Sequence, residues 1–220
     1  MSKPTTIRVA CPACGHEQEF DAWQSINATA EPELKQRLLS GRLTTCQCAE
    51  CGRAAQVAFA MLYHDMDKRL VIWFVPGEGP IDSLENAGME AIDRMTDEGY
   101  TFRLVRTHNE LVEKILIFDD ELDDRVLELF KFAIWSSMDE AHRPAEGSML
   151  YVGTSESKTG ERIMELVLLA GETQTAFEVP WDDAFKPFES EVAPVIAEAA
   201  PASGPWPRID QAFAQALLNG

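Results

Sequence analysis

Five cysteines fall within the first 51 positions of this 220-residue chain, and four of them stand in two short pairs, Cys11-Pro12-Ala13-Cys14-Gly15 and Cys48-Ala49-Glu50-Cys51-Gly52. Two residues between cysteines let one tight turn aim both sulfurs at a single point, with backbone N–H groups directed at the thiolates. The glycine after each pair supplies the positive φ by which such a turn returns to a strand. Two of these knuckles facing each other offer four thiolates at the ~2.3 Å tetrahedral distance that zinc prefers, and they leave no coordination position open to a substrate. The spacing therefore points to one structural Zn2+ ion held by Cys11, Cys14, Cys48 and Cys51. Iron in a four-thiolate site uses similar knuckles, so the donor set keeps iron as the alternative ion. A glutaredoxin-type redox pair would need a helix directly after Cys14, and Gly15-His16-Glu17-Gln18-Glu19-Phe20 is a poor helix start. A zinc deaminase would need His-x-Glu ahead of Pro-Cys-x-x-Cys, and neither half is present.

The fifth cysteine, Cys46, precedes Cys48 by two positions on an expected strand, so both side chains leave the same face. It is expected to pack as a small residue beside the site, with a replacement ligand or a redox-sensitive thiol as the sharper alternative. Tyr63-His64-Asp65 has the makings of a catalytic cluster, but the surrounding charges suit a solvent-exposed hairpin tip. Asp119-Asp120-Glu121 and Asp123-Asp124 lack the glycine and ligand spacing of a calcium loop and are expected to cap the helix that follows. The segment 155–160 lacks the order of a phosphate loop and reads as a hairpin turn. The four histidines (His16, His64, His108 and His142) are scattered, and no metalloprotease, hydrolase or dinucleotide fingerprint occurs. A non-enzymatic protein is the expectation, with Cys46 or His64 as the residues that an enzyme or thiol sensor would use.

The elements that must position the knuckles can be read in outline. Strands are expected at 6–10, 54–63 and 69–75, the last two joined by a hairpin turn at 64–68, and a helix at 31–40 lies between the knuckles with Pro32 in its first turn. Helices are expected at 81–98, 109–117 and 124–138, strands at 100–107, 149–153, 162–169 and 175–179, and a short helix at 181–188. Pro76-Gly77-Glu78-Gly79-Pro80 and a weaker break at 142–147 punctuate the chain, and 193–207 reads as an Ala/Pro-rich linker. Ile209, Phe213 and Leu217 recur every four residues, so an amphipathic helix closes the chain. The expected organisation is a zinc-binding module over 1–78, a mainly helical region over 80–142, a β-rich region over 146–192, the linker 193–207 and the terminal helix 208–220. Hairpins and segregated helices make the fold class α+β.

Charge narrows the partners. The chain carries 37 acidic and 19 basic residues, a net charge of −18, and residues 1–70 are balanced, so the whole excess lies beyond them. Such a surface repels phosphate backbones, which disfavours nucleic acid as a ligand. No apolar run is long enough to span a membrane as a helix and no leader segment opens the chain, so a cytoplasmic location is expected, where clustered thiols read as metal ligands rather than disulfides. Trp181, Trp206 and the terminal helix are candidate surfaces for a protein partner or for self-association, and each reads equally as ordinary core.

Beyond the knuckles, Asn27, Pro32-Glu33-Leu34, Leu39-Ser40-Gly41, Leu62-Tyr63-His64-Asp65 and the apolar strand ending at Pro76 complete a pattern. In these features the chain resembles the CpXC-domain family, bacterial and archaeal proteins named for the cysteine motif. The similarity covers residues 8–76. The stretches 109–115 and 123–128 are similar to a segment that often follows this domain. The resemblance implies zinc at Cys11, Cys14, Cys48 and Cys51. One departure is that the second knuckle reads Cys-Ala-Glu-Cys where the family has Cys-Pro-x-Cys, which loosens the turn and removes no ligand. The family has no established biochemical activity, so the resemblance supplies a site and leaves its role open. The expectation that follows is a zinc-stabilised, ribbon-like protein-interaction or regulatory module.

Overall fold

The computed structural model describes residues 1–77, 89–139, 143–144, 146–199 and 204–219. These form an α+β fold in two compact units, Met1–Val112 with Gly204–Pro207 and Glu113–Ser203 with Arg208–Gly220.

In the first unit the chain runs β1 (Lys3–Ala10), β2 (Glu17–Asn27), α1 (Pro32–Leu39), β3 (Thr45–Gln47), β4 (Ala54–Gln56), β5 (Met61–Asp65), β6 (Leu70–Phe74), α2 (Met89–Asp97), β7 (Thr101–Val105) and the start of α3 (His108–Asp119). Five of these strands make one mixed sheet in the order β1-β2-β5-β6-β7, and β3-β4 is a separate hairpin. Every residue of β6, Leu-Val-Ile-Trp-Phe, is buried, as an unbroken apolar run in a central strand requires. The edge of β7 is covered where Leu104 N–H donates to the Pro207 carbonyl at 3.1 Å. Trp206 lies against Trp73 and Phe102, each ring centroid 5.3 Å away. Helix α1 forms where expected, with Pro32 and Glu33 in its first turn, Arg37 in its last, and Leu34 and Leu38 buried.

The expected single strand 54–63 is two strands. Residues of β4 pair with β3, whereas β5 enters the large sheet parallel to β2, so the chain must leave one ladder before joining the other. The hairpin turn is also shifted. The segment Tyr63-His64-Asp65 belongs to β5 rather than to an exposed tip, with Tyr63 fully buried and Asp65 only 4% exposed. Of the helix expected at 81–98, residues 81–88 lie outside the described residues, as do 78–80 of the first break and His142 of the second.

The second unit holds the rest of α3, α4 (Asp124–Ser137), the antiparallel strands β8 (Ser148–Glu156), β9 (Arg162–Ala170) and β10 (Thr173–Pro180) in the order β10-β9-β8, a π-helical turn (Trp181–Phe185), α5 (Lys186–Glu198) and α6 (Gln211–Asn219). Asp123 caps α4 as expected, its carboxylate accepting from Arg125 N–H at 2.9 Å. The turn at 157–161 closes the β8–β9 hairpin through Ser157 N–H to the Glu161 carbonyl at 2.8 Å.

One expectation fails here, and the pull of the core is the reason. Residues 193–198 of the expected linker are helical despite Pro194, because Phe188, Val192 and Ile196 recur every four residues and pack into the core. Burying such side chains contributes roughly 1.5–3 kcal/mol each, enough to offset the roughly 3 kcal/mol that an interior proline costs. One face of helix α6 packs on the same core, with Ala214 fully buried and Leu217 against it, while Leu218 on another face is exposed. Trp181 is 8% exposed, covered by Phe185 and by the Arg162 guanidinium 3.6 Å from its ring. No helix of the described residues is long and apolar enough to cross a membrane.

Candidate metal centre

Each cysteine pair sits in a six-residue loop between paired strand ends, Ala10 opposite Glu17 in the first hairpin and Gln47 opposite Ala54 in the second. The loops share one wiring. Cys11 N–H donates to the His16 carbonyl at 2.8 Å and Gly15 N–H to the Cys11 carbonyl at 2.9 Å. In the second loop Cys48 N–H donates to Arg53 and Gly52 N–H to Cys48, both at 2.9 Å. Gly15 at φ +74° and Gly52 at φ +71° make the left-handed step that turns each loop back into its strand.

The two knuckles meet. Cys11 Sγ is 3.6 Å from Cys51 Sγ, Cys14 Sγ is 3.7 Å from Cys48 Sγ, and all four sulfurs lie within 4.8 Å of one another. A regular tetrahedron of thiolates around an ion at ~2.3 Å has edges of about 3.8 Å. The sulfurs thus sit at coordination spacing, and one cation would fit among them. Among the described residues this is the group of cysteine, histidine and acidic side chains arranged to hold a metal.

Electrostatics favour a cation. The Ala13 and Cys14 N–H groups draw the Cys11 thiol down to about 6. At Cys14 the His16 N–H favours the thiolate, yet desolvation and the crowding sulfurs of Cys51, Cys11 and Cys48 prevail and push it up to about 12. Cys51 is also raised: the Arg53 N–H and the Cys14 sulfur lower it, but desolvation and the Cys11 and Cys48 sulfurs prevail. Four anions cannot share so small a volume unaided, and a divalent ion supplies the charge that lets all four ionise.

Cys46 stands outside the group of four. Its sulfur accepts from Gln18 Nε2 at 3.0 Å, in a cavity of about 330 Å³ also lined by Cys11, Cys48, Val9, Ala55 and Val57. The same Gln18 amide donates to the Gln47 carbonyl at 2.9 Å and accepts from Ala49 N–H at 2.8 Å. Sequence reasoning missed Gln18, since a glutamine beside a cysteine pair carries no spacing signal of its own.

The other candidates are not assembled into a site. Successive strand residues face opposite ways, so Asp65 turns from His64 toward Lys35 Nζ at 3.1 Å and the Tyr63 hydroxyl at 3.2 Å. Burial works to raise the Asp65 pKa, but Lys35, the Lys68 N–H and Tyr63 hold it below the usual carboxylate value. His64 packs on Tyr100 at 5.6 Å with Nε2 buried and unpartnered, and burial pulls its pKa down, so it stays neutral. In the second unit Glu113, Lys114, Asp124, Glu128 and Lys131 are all buried in one ion network between α3 and α4. Asp124, Glu128 and Lys131 recur at helical spacing. That was the available signal, and it reads equally well as a solvated face.

A family model described as CpXC protein matches residues 9–131, more than half of the chain. The chain belongs to the CpXC family. The match takes in both knuckles and continues through all five buried charges of α3 and α4. No curated protein and no solved structure matches the chain.

Proposed function

We propose that this CpXC protein is a non-enzymatic interaction or regulatory module whose N-terminal hairpins are held by one structural zinc ion in a ribbon-like arrangement. The observation that carries the reading is the convergence of Cys11, Cys14, Cys48 and Cys51 to tetrahedral spacing at two hairpin tips. Four protein ligands close the coordination sphere, which suits a structural rather than a catalytic ion. The net charge of −18 favours a basic protein surface as partner over nucleic acid. A cytoplasmic location fits free thiols of this kind.

Elemental analysis of the freshly isolated chain tests the ion: one zinc per chain is expected, the visible absorption of ferric tetrathiolate would assign iron, and no stoichiometric transition metal would refute the site. Purification from the native host tests the role. A stoichiometric basic companion released by rising salt is expected; a chain that elutes alone, with neither companion nor second copy, would refute it.

A further inference from the structure

Among the described residues, the β3-β4 hairpin, which carries the second knuckle, shares no strand ladder with the five-stranded sheet that carries the first. Something other than strand pairing must hold Cys48 and Cys51 in register with Cys11 and Cys14. Gln18 lies on β2, two residues beyond the end of the first knuckle loop, and reaches across to three backbone or side-chain atoms that bracket Cys48. Its Nε2 donates to Cys46 Sγ at 3.0 Å and to the Gln47 carbonyl at 2.9 Å, and its Oε1 accepts from Ala49 N–H at 2.8 Å. The amide orientation is unambiguous, because a carbonyl only accepts and a backbone N–H only donates.

We infer that Gln18 is the positioning residue that latches the second knuckle onto the first and preorganises the four sulfurs for the ion. The inference rests on the metal reading above and adds a residue to it. None of these three hydrogen bonds of Gln18 goes to a sulfur of the group of four. It fixes both residues flanking Cys48, while Gly52 and Arg53 set the far side of the loop. Cys46 gains a role as well: it is the sulfur acceptor that completes the hydrogen bonding of the amide, neither a fifth ligand nor a reactive thiol. Outer residues that orient ligands typically change metal affinity by about 10–100-fold when removed.

The test uses the full chain, with Co2+ and Zn2+ affinities measured by competition with a chromophoric chelator. Gln18→Ala is expected to weaken binding by about 10–100-fold while the bound Co2+ keeps its tetrathiolate spectrum, since no ligand is lost. Gln18→Glu keeps the acceptor for Ala49 but loses both donors, and should weaken binding similarly. Cys46→Ser keeps an acceptor and should stay within about threefold of wild type, whereas Cys46→Val should lose affinity by more. If Gln18→Ala does not fold, the Cys46 pair still decides. A Gln18→Ala chain within about threefold of a metal-binding wild type overturns this inference alone. A Cys46→Ser chain that loses the tetrathiolate spectrum also overturns it, by making Cys46 a ligand. A wild type that binds neither ion overturns the metal reading together with it.

Discussion

Replacing Lys131 by methionine is the sharpest probe of the second unit. Lys131 Nζ donates to Glu113 at 2.7 Å and to Glu128 at 2.9 Å, all three side chains buried. Methionine fills much of the same volume, so the cavity left is small, but the charge is gone. Among the described residues, Glu113 would keep the Tyr151 N–H at 2.7 Å and the weaker pull of the Lys114 charge, and Glu128 would keep Lys114 at 3.1 Å. Removing one partner of a buried ion pair costs about 3–5 kcal/mol, because the remaining charge is left uncompensated. In a unit of about 100 residues each kcal/mol moves the melting temperature by roughly 4–8 °C, so a fall on the order of 20 °C is expected. Thermal denaturation followed by the fluorescence of Trp135 and Trp181 reads it. A companion variant, Glu113→Gln, isolates the cause. The network sets three carboxylates against two ammoniums, and burial, opposed in part by Lys131, holds the Glu113 carboxyl above its usual range. A raised folded pKa contributes stability below the unfolded value that is lost as pH rises through the folded one. Wild type should therefore lose stability with rising pH across that titration, and Glu113→Gln should lose that part of the slope. Adding Glu113→Gln to Lys131→Met should restore about 1–3 kcal/mol through coupling. A Lys131→Met chain destabilised by less than about 1 kcal/mol, or a double variant no better than the single, would refute the reasoning.

Three further outcomes follow from the same contacts. Cys14→Ser removes one wall of the sulfur group and should abolish stoichiometric metal and open the first 60 or so residues to protease, since structural zinc supplies about 10–16 kcal/mol in finger peptides; an unchanged digestion pattern would count against a structural ion. Asp123→Ala removes the cap on α4 and should cost about 1 kcal/mol in denaturant melts, with no effect on metal content. Ala214→Glu forces a charge into the fully buried contact between α6 and the core and should destabilise the second unit by about 2–4 kcal/mol; a melt unchanged from wild type would mean that α6 does not pack there.

The site was legible in the sequence because its geometry is local. Within each knuckle two cysteines, a tight turn and one glycine determine where the sulfurs point, so Cys11, Cys14, Cys48 and Cys51 could be named from spacing alone. Helix α1 was legible for a similar reason, as its proline, glutamate and leucine positions are all short-range signals. Tyr63-His64-Asp65 was misplaced because whether a polar strand end is exposed depends on what lies over it, here Lys35 from α1 and Tyr100. Nothing in the sequence marks the charged stripe of α4 as buried: Asp124, Glu128 and Lys131 are covered only because α3 offers Lys114 and Glu113 to pair with them.

Local spacing thus determined the four clustered cysteines, the fold class and most helices and strands, since hydrogen-bonded turns and side-chain periodicity act over a few residues. Tertiary structure alone decided that the two knuckles meet, that Gln18 spans them, that the Pro194 segment is helical, and that Trp181, Trp206 and one face of α6 pack inward. Each of these depends on a partner far away in the chain, and the energy of burial or of a long-range hydrogen bond exists only once that partner has arrived.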